Sequence, residues 1–141
     1  AASQSLVADQ VLAAYRFDGV RCLLGVGGCE GAFLAAVAAR RPHLELMLFD
    51  LPAVADRAAQ RFAALGLDAR VRVVGGDFLR DPLPSGADVA SLVRVLHDHD
   101  DPNALLLLRA VRRALPTGGR VLIAEPMAGA IAAKSHVPSA L

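Results

Sequence analysis

A short apolar run from Val20 to Val26, interrupted only by Arg21 and Gly25, opens directly into Gly27-Gly28-Cys29-Glu30-Gly31. A helical stretch from Ala32 to Arg40 follows and stops before Pro42, and a second apolar run, Leu44 to Phe49, ends in Asp50. Strand, glycine turn, helix, strand is a βαβ unit, which demands parallel strands and a crossover helix lying on one face of the sheet. The alternation then repeats. A helix is predicted from about Ala53 to Leu65, a strand over Val71 to Val74, a proline-containing loop, and a strand over Val89 to Val95. Asp101-Pro102 reads as a helix start, with Asp101 at the N-cap, and that helix runs to about Leu115. Pro116-Thr117-Gly118-Gly119 ends it before a fifth strand, Arg120 to Ala124. Ahead of the unit, Ser5 to Tyr15 carries a helical apolar stripe, and Met127 to Ala133 shows no clear element. Five near-continuous apolar strands alternating with helices predict an α/β fold, a doubly wound parallel sheet covered on both faces.

Composition narrows the class further. Over 141 residues, 55% are hydrophobic and 21% charged, enough for a single core in one domain, residues 1–141. Fifteen basic residues stand against 14 acidic ones along the chain, which predicts no nucleic-acid partner. No apolar run approaches the ~18 residues of a membrane-spanning helix, and no signal-peptide pattern opens the sequence. Two cysteines without metal-ligand spacing point to a reduced, cytoplasmic setting and no metal site.

In an open parallel sheet, ligands bind beyond the carboxyl ends of the strands, so the residues there carry the chemistry. They are the glycine turn, then Asp50, Asp77, His97-Asp98 and Glu125-Pro126. A glycine turn lets backbone amides approach a ligand, and an acid ending the second strand is suited to accept both hydroxyls of a ribose. A nucleoside-bearing cofactor follows. A dinucleotide fingerprint G-x-G-x-x-G fits only in stretched form from Gly25 to Gly31, which keeps a nicotinamide-binding oxidoreductase as the alternative. Val74-Gly75-Gly76-Asp77-Phe78, an acid to accept from an adenine amino group and a ring to pack on it, has no counterpart in that fingerprint.

Taken together, Leu23-Leu24-Gly25-Val26-Gly27-Gly28-Cys29-Glu30-Gly31, Phe49-Asp50-Leu51-Pro52, Gly75-Gly76-Asp77-Phe78, Arg94-Val95-Leu96-His97-Asp98 and Glu125-Pro126 resemble the methyltransferase domain of the caffeic acid and acetylserotonin O-methyltransferase family. Its bacterial hydroxyneurosporene O-methyltransferases look most similar, over roughly Leu6 to Met127. The resemblance implies a Rossmann-like sheet of the class I methyltransferase type, lacking the last two strands, and S-adenosyl-L-methionine as cofactor. It implies cofactor contacts from Gly27, Gly28, Gly31, Asp50, Leu51, Asp77 and Phe78, with His97 as general base and Glu125 orienting its imidazole. The substrate implied is a small hydroxylated molecule, a carotenoid alcohol by analogy. Dimerisation is implied only through an N-terminal helical domain outside this chain. Two positions depart from the pattern: Gly25 replaces an acid and Cys29 a glycine, which predicts weakened cofactor affinity.

Each site residue also has a plain structural reading. Gly27, Gly28 and Gly31 can serve a tight turn, Asp50 and Asp77 can cap or form turns, and His97 can be a surface residue before a helix. Asp98, Asp100 and Asp101 read as caps and solvated acids, Cys22 as core, and His43 and His136 as loop residues without a role. A non-catalytic fragment that has lost cofactor affinity through Gly25 and Cys29 is the third hypothesis.

Overall fold

The structure, a computed structural model, describes residues 2–27, 31–93, 100–127 and 130–134, with side chains described over 8–27, 31–93 and 100–124. The elements run α1 (Ala2–Ala14), β1 (Cys22–Val26), α2 (Gly31–Arg40), β2 (Glu45–Asp50), α3 (Pro52–Ala64), β3 (Val71–Gly75), β4 (Val89–Val93), α4 (Asp101–Ala114), β5 (Arg120–Met127) and β6 (Ala130–Lys134). Among the described residues they form one six-stranded sheet in the order β3-β2-β1-β4-β5-β6. The first five strands pair in parallel, as the alternation predicts. The chain winds from β1 outward through β2 to β3, then returns to place β4 on the other side of β1, so the direction of winding reverses between β1 and β4.

Strand alternation divides the core into two layers. Leu23, Leu46, Leu48, Val71, Val89 and Leu122 face α1, α2 and α3 with Val11, Phe33, Leu34 and Phe62. Leu24, Val26, Met47, Phe49, Ala90 and Leu92 face the other way, against Leu107, Ala110 and Val111 of α4. Successive side chains of a strand point to opposite faces, so buried runs such as Cys22–Val26 serve both layers at once. Each large side chain buried there, Phe33 or Phe62 for example, contributes about 1.5–3 kcal/mol through removal of apolar surface from water.

Two long-range polar staples fix the amino-terminal side of the sheet. The Arg70 guanidinium donates to the carbonyl oxygens of Ala38 (3.1 Å), Arg41 (2.9 Å) and Leu44 (2.8 Å), tying the end of α2 and the loop into β2 to the start of β3. Asp88 Oδ2 accepts the backbone N–H groups of Arg21 at 2.5 Å and Cys22 at 3.2 Å, joining the segment entering β4 to the start of β1.

Three expectations are corrected. The N-cap of α4 is Asp100, whose Oδ1 accepts the Asn103 N–H at 3.0 Å; Asp101 lies inside the helix, ahead of Pro102. The fifth strand continues to Met127. A further strand, β6, follows it and pairs antiparallel with it, Ile123 opposite Lys134 and Met127 opposite Ala130, so the sheet extends one strand past the five expected. Among the described residues no helix is long and apolar enough to cross a membrane.

Candidate functional site

Among the described residues the register of the sheet brings several predicted site residues to one edge. Val26, the last residue of β1, lies opposite Phe49, and Asp50, the last of β2, lies opposite Gly75 of β3. Just beyond, the Gly27 N–H donates to the Phe49 carbonyl at 2.8 Å and the Gly76 N–H donates to the Asp50 carbonyl at 2.9 Å. Gly27, Asp50, Leu51, Gly75, Gly76 and Asp77 therefore occupy the carboxyl edge formed by three adjacent strands, beside the reversal in winding.

Local chemistry explains each conformation. Gly27 leaves β1 with φ +62°, the left-handed region that a side chain disfavours, and this turns the chain toward α2. Gly31 opens α2, buried against Ala58 and Phe62 of α3. Asp50 is 9% exposed, and its Oδ1 accepts the Leu51 N–H at 2.8 Å. Pro52 then starts α3 without needing a donor, and Leu51 is left 54% exposed beside the carboxylate.

Asp77 sits half-buried in a compact turn. Its Oδ1 accepts the Leu79 N–H at 3.0 Å, and its carbonyl accepts the Arg80 and Asp81 N–H groups at 2.9 and 2.7 Å. Asp81 completes the turn, its Oδ2 accepting the Asp77 N–H at 2.9 Å. Gly76 permits this approach: a Cβ there would stand 2.9 Å from the Phe49 ring and 3.1 Å from Asp81 Oδ2. Sequence reasoning missed Asp81 and gave Gly76, although part of the quoted motif, no role of its own; the spacing Asp77-x-x-x-Asp81 after a strand end was the available signal for Asp81. Phe78 is half-buried and packs against the layer that holds Leu83 and Leu24.

Gly28, Cys29, His97 and Asp98 lie outside the described residues, as does the Glu125 side chain, although the Glu125 backbone is paired within β5 opposite Ala132. Gly25, where the resemblance expects an acid, is buried inside β1 in register with Leu48 and Ser91. Cys22 is core, as expected, and burial pushes its thiol up, with Glu45 and Asp88 adding to the effect.

The donor set fits a nucleoside-bearing group. A carboxylate offers about four acceptor positions, one of them used by the Leu51 N–H, and paired ribose hydroxyls match that acceptor chemistry. Leu51 supplies an exposed apolar surface next to it, and Asp77 lies one strand further out. A winding reversal flanked by these residues defines a doubly wound nucleoside-cofactor domain. Residues 1–139 match the family model described as the O-methyltransferase domain, and the chain belongs to that family.

Demethylspheroidene O-methyltransferase of Cereibacter sphaeroides is 58% identical over 127 residues, 90% of this chain and 34% of that protein. Aclacinomycin 10-hydroxylase RdmB of Streptomyces purpurascens is 48% identical over 112 residues, covering 79% of this chain and 30% of that protein. Among solved structures, the O-methyltransferase NcsB1 from neocarzinostatin biosynthesis, in complex with S-adenosylmethionine and 2-hydroxy-5-methyl naphthoic acid, superposes with a TM-score of 0.78 and 35% identity. That match covers 90% of this chain and 41% of that one. The chain thus spans about a third of the length of the curated relatives it matches. The family supports the methyltransferase expectation and not the nicotinamide-binding alternative.

Proposed function

We propose that this chain is the cofactor-binding and catalytic part of an S-adenosyl-L-methionine-dependent O-methyltransferase acting on a hydroxyl of a small molecule. The observation that carries the reading is the placement of Gly27, Asp50 and Asp77 on adjacent strand ends of one carboxyl edge, in a chain of the O-methyltransferase domain family. The cofactor supplies a methyl group activated on a sulfonium. Asp50 holds the ribose hydroxyls, Leu51 covers the adjoining face, and Asp77 accepts from the adenine amino group with Phe78 beside it. Gly27, Gly28 and Gly31 contact the cofactor's amino-acid end.

His97 is the general base. A hydroxyl attacks a methyl group poorly until its proton is removed, and an imidazole nitrogen, with an intrinsic pKa of about 6.5, takes that proton near neutral pH. Glu125 orients the ring from the next strand. The 58% identity to a demethylspheroidene O-methyltransferase favours a carotenoid alcohol as substrate.

Because a relative named as a hydroxylase is also similar, product identity is the test. The full chain is incubated with methyl-labelled S-adenosylmethionine and a hydroxylated carotenoid, and the product is read by mass spectrometry. Label transfer with a gain of one CH2 supports the proposal; gain of an oxygen without label supports hydroxylation instead.

A further inference from the structure

On the α4 face of the sheet, a cleft of about 720 Å³ lies between the edge strand β3, the loop after Asp77 and the last turns of α4. Three arginines from these three elements line it: Arg72 of β3, Arg80 of the loop and Arg113 of α4. Among the described residues several other guanidinium groups are engaged. Arg16 pairs with Asp18 at 3.3 Å, Arg40 with Asp9 at 2.6 Å, and Arg70 donates to three carbonyls. Among the described residues Arg72, Arg80 and Arg113 have no carboxylate within ion-pair distance.

The cleft also contains Asp81, whose Oδ2 accepts the Asp77 N–H, and Ser85. Three guanidinium charges against one carboxylate leave a net charge of two positive facing a concave volume, and concavity focuses such a field. A guanidinium presents a planar fork of donors matched to phosphate oxygens, and Ser85 adds a hydroxyl. Val74 and Leu83 provide an apolar wall for whatever carries the anion.

We propose that this cleft, lined by Arg72, Arg80 and Arg113, is a binding site for a phosphate monoester dianion, distinct from the carboxyl edge that holds Asp50 and Gly27. Its charge matches a dianion better than a single carboxylate, which would leave one guanidinium charge unbalanced. The phosphate monoester belongs either to a soluble ester or to a lipid headgroup, and the chemistry of recognition is the same for both.

The test is titration of the full chain with inorganic phosphate at fixed low ionic strength, followed by chemical shift or heat. Saturable binding of one phosphate per chain is expected, weakening at least tenfold in the triple variant Arg72→Gln, Arg80→Gln, Arg113→Gln and declining as salt rises. Arg109→Gln, which removes an exposed α4 arginine outside the cleft, leaves binding unchanged. A parallel sedimentation with phosphatidylcholine vesicles, with and without phosphatidic acid, distinguishes the sources. Arginine-dependent cosedimentation with phosphatidic acid assigns the phosphate to a lipid, and its absence assigns it to a soluble ester. No saturable phosphate binding, undiminished binding in the folded triple variant, or an equal loss in Arg109→Gln overturns the proposal.

Discussion

The backbone N–H of Gly27 donates to the carbonyl oxygen of Phe49 at 2.8 Å, so the glycine turn after β1 is fastened to the strand whose next residue is Asp50. The turn and the carboxylate are thereby set against each other by main-chain geometry alone. Side-chain changes at Asp50 should consequently alter ligand chemistry while leaving the turn in place.

Replacing Asp50 with Ala is expected to weaken S-adenosylhomocysteine binding by about 1–3 kcal/mol through loss of charge-assisted hydrogen bonds to the ribose. Calorimetric titration checks this. Unchanged affinity would make Asp50 a turn residue that accepts the Leu51 N–H.

His97→Ala should lower the rate of methyl transfer at least ~10²-fold with cofactor affinity nearly unchanged, because the imidazole acts on the nucleophile. Single-turnover rates and a binding isotherm on the same preparation separate the two. Parallel loss of cofactor binding would remove His97 from the role of base.

Arg70→Ala leaves three carbonyl oxygens, those of Ala38, Arg41 and Leu44, without their guanidinium donor. A stability loss of about 1–3 kcal/mol is expected in urea unfolding, with cofactor affinity of the folded protein little changed, since Arg70 lies at the opposite end of β3 from Asp77. A loss confined to cofactor binding would contradict the assignment of Arg70 to the scaffold.

The Cys22 thiol is held above its usual range by burial first, then by Glu45 and Asp88. Its folded-state pKa exceeds the unfolded one, so this contribution to stability is fully present below the unfolded value. It declines as pH rises from there through the folded pKa. Cys22→Ser, which removes the thiolate from the unfolded state, should therefore flatten the alkaline fall in stability above about pH 9. Identical pH profiles for the two proteins, read by urea midpoints, would contradict this.

The parallel sheet was legible because its strands are mostly apolar runs, and the first three end at or just before a glycine or an aspartate, the residues read as candidate site positions. Other features depend on geometry that local pattern does not carry. Asp100 and Asp101 are chemically identical, and only the reach of a carboxylate to the Asn103 N–H makes Asp100 the cap. β6 is alanine-rich, with low intrinsic strand preference, and owes its conformation to pairing with β5. The Arg70 staple joins groups 26 to 32 residues apart, a separation no periodicity reveals. Asp81 was hidden because its role is toward the Asp77 backbone, whereas the motif drew attention to the Asp77 side chain.

In the proposed function the carboxyl edge of this sheet holds S-adenosyl-L-methionine through Asp50 and Asp77. Calorimetric titration of the full chain with S-adenosylhomocysteine, and separately with NADH, tests it most directly. Saturable one-to-one binding of S-adenosylhomocysteine alone, weakened in both Asp50→Ala and Asp77→Ala, is the predicted result. Binding of NADH in its place, or S-adenosylhomocysteine affinity indifferent to both substitutions, would contradict it.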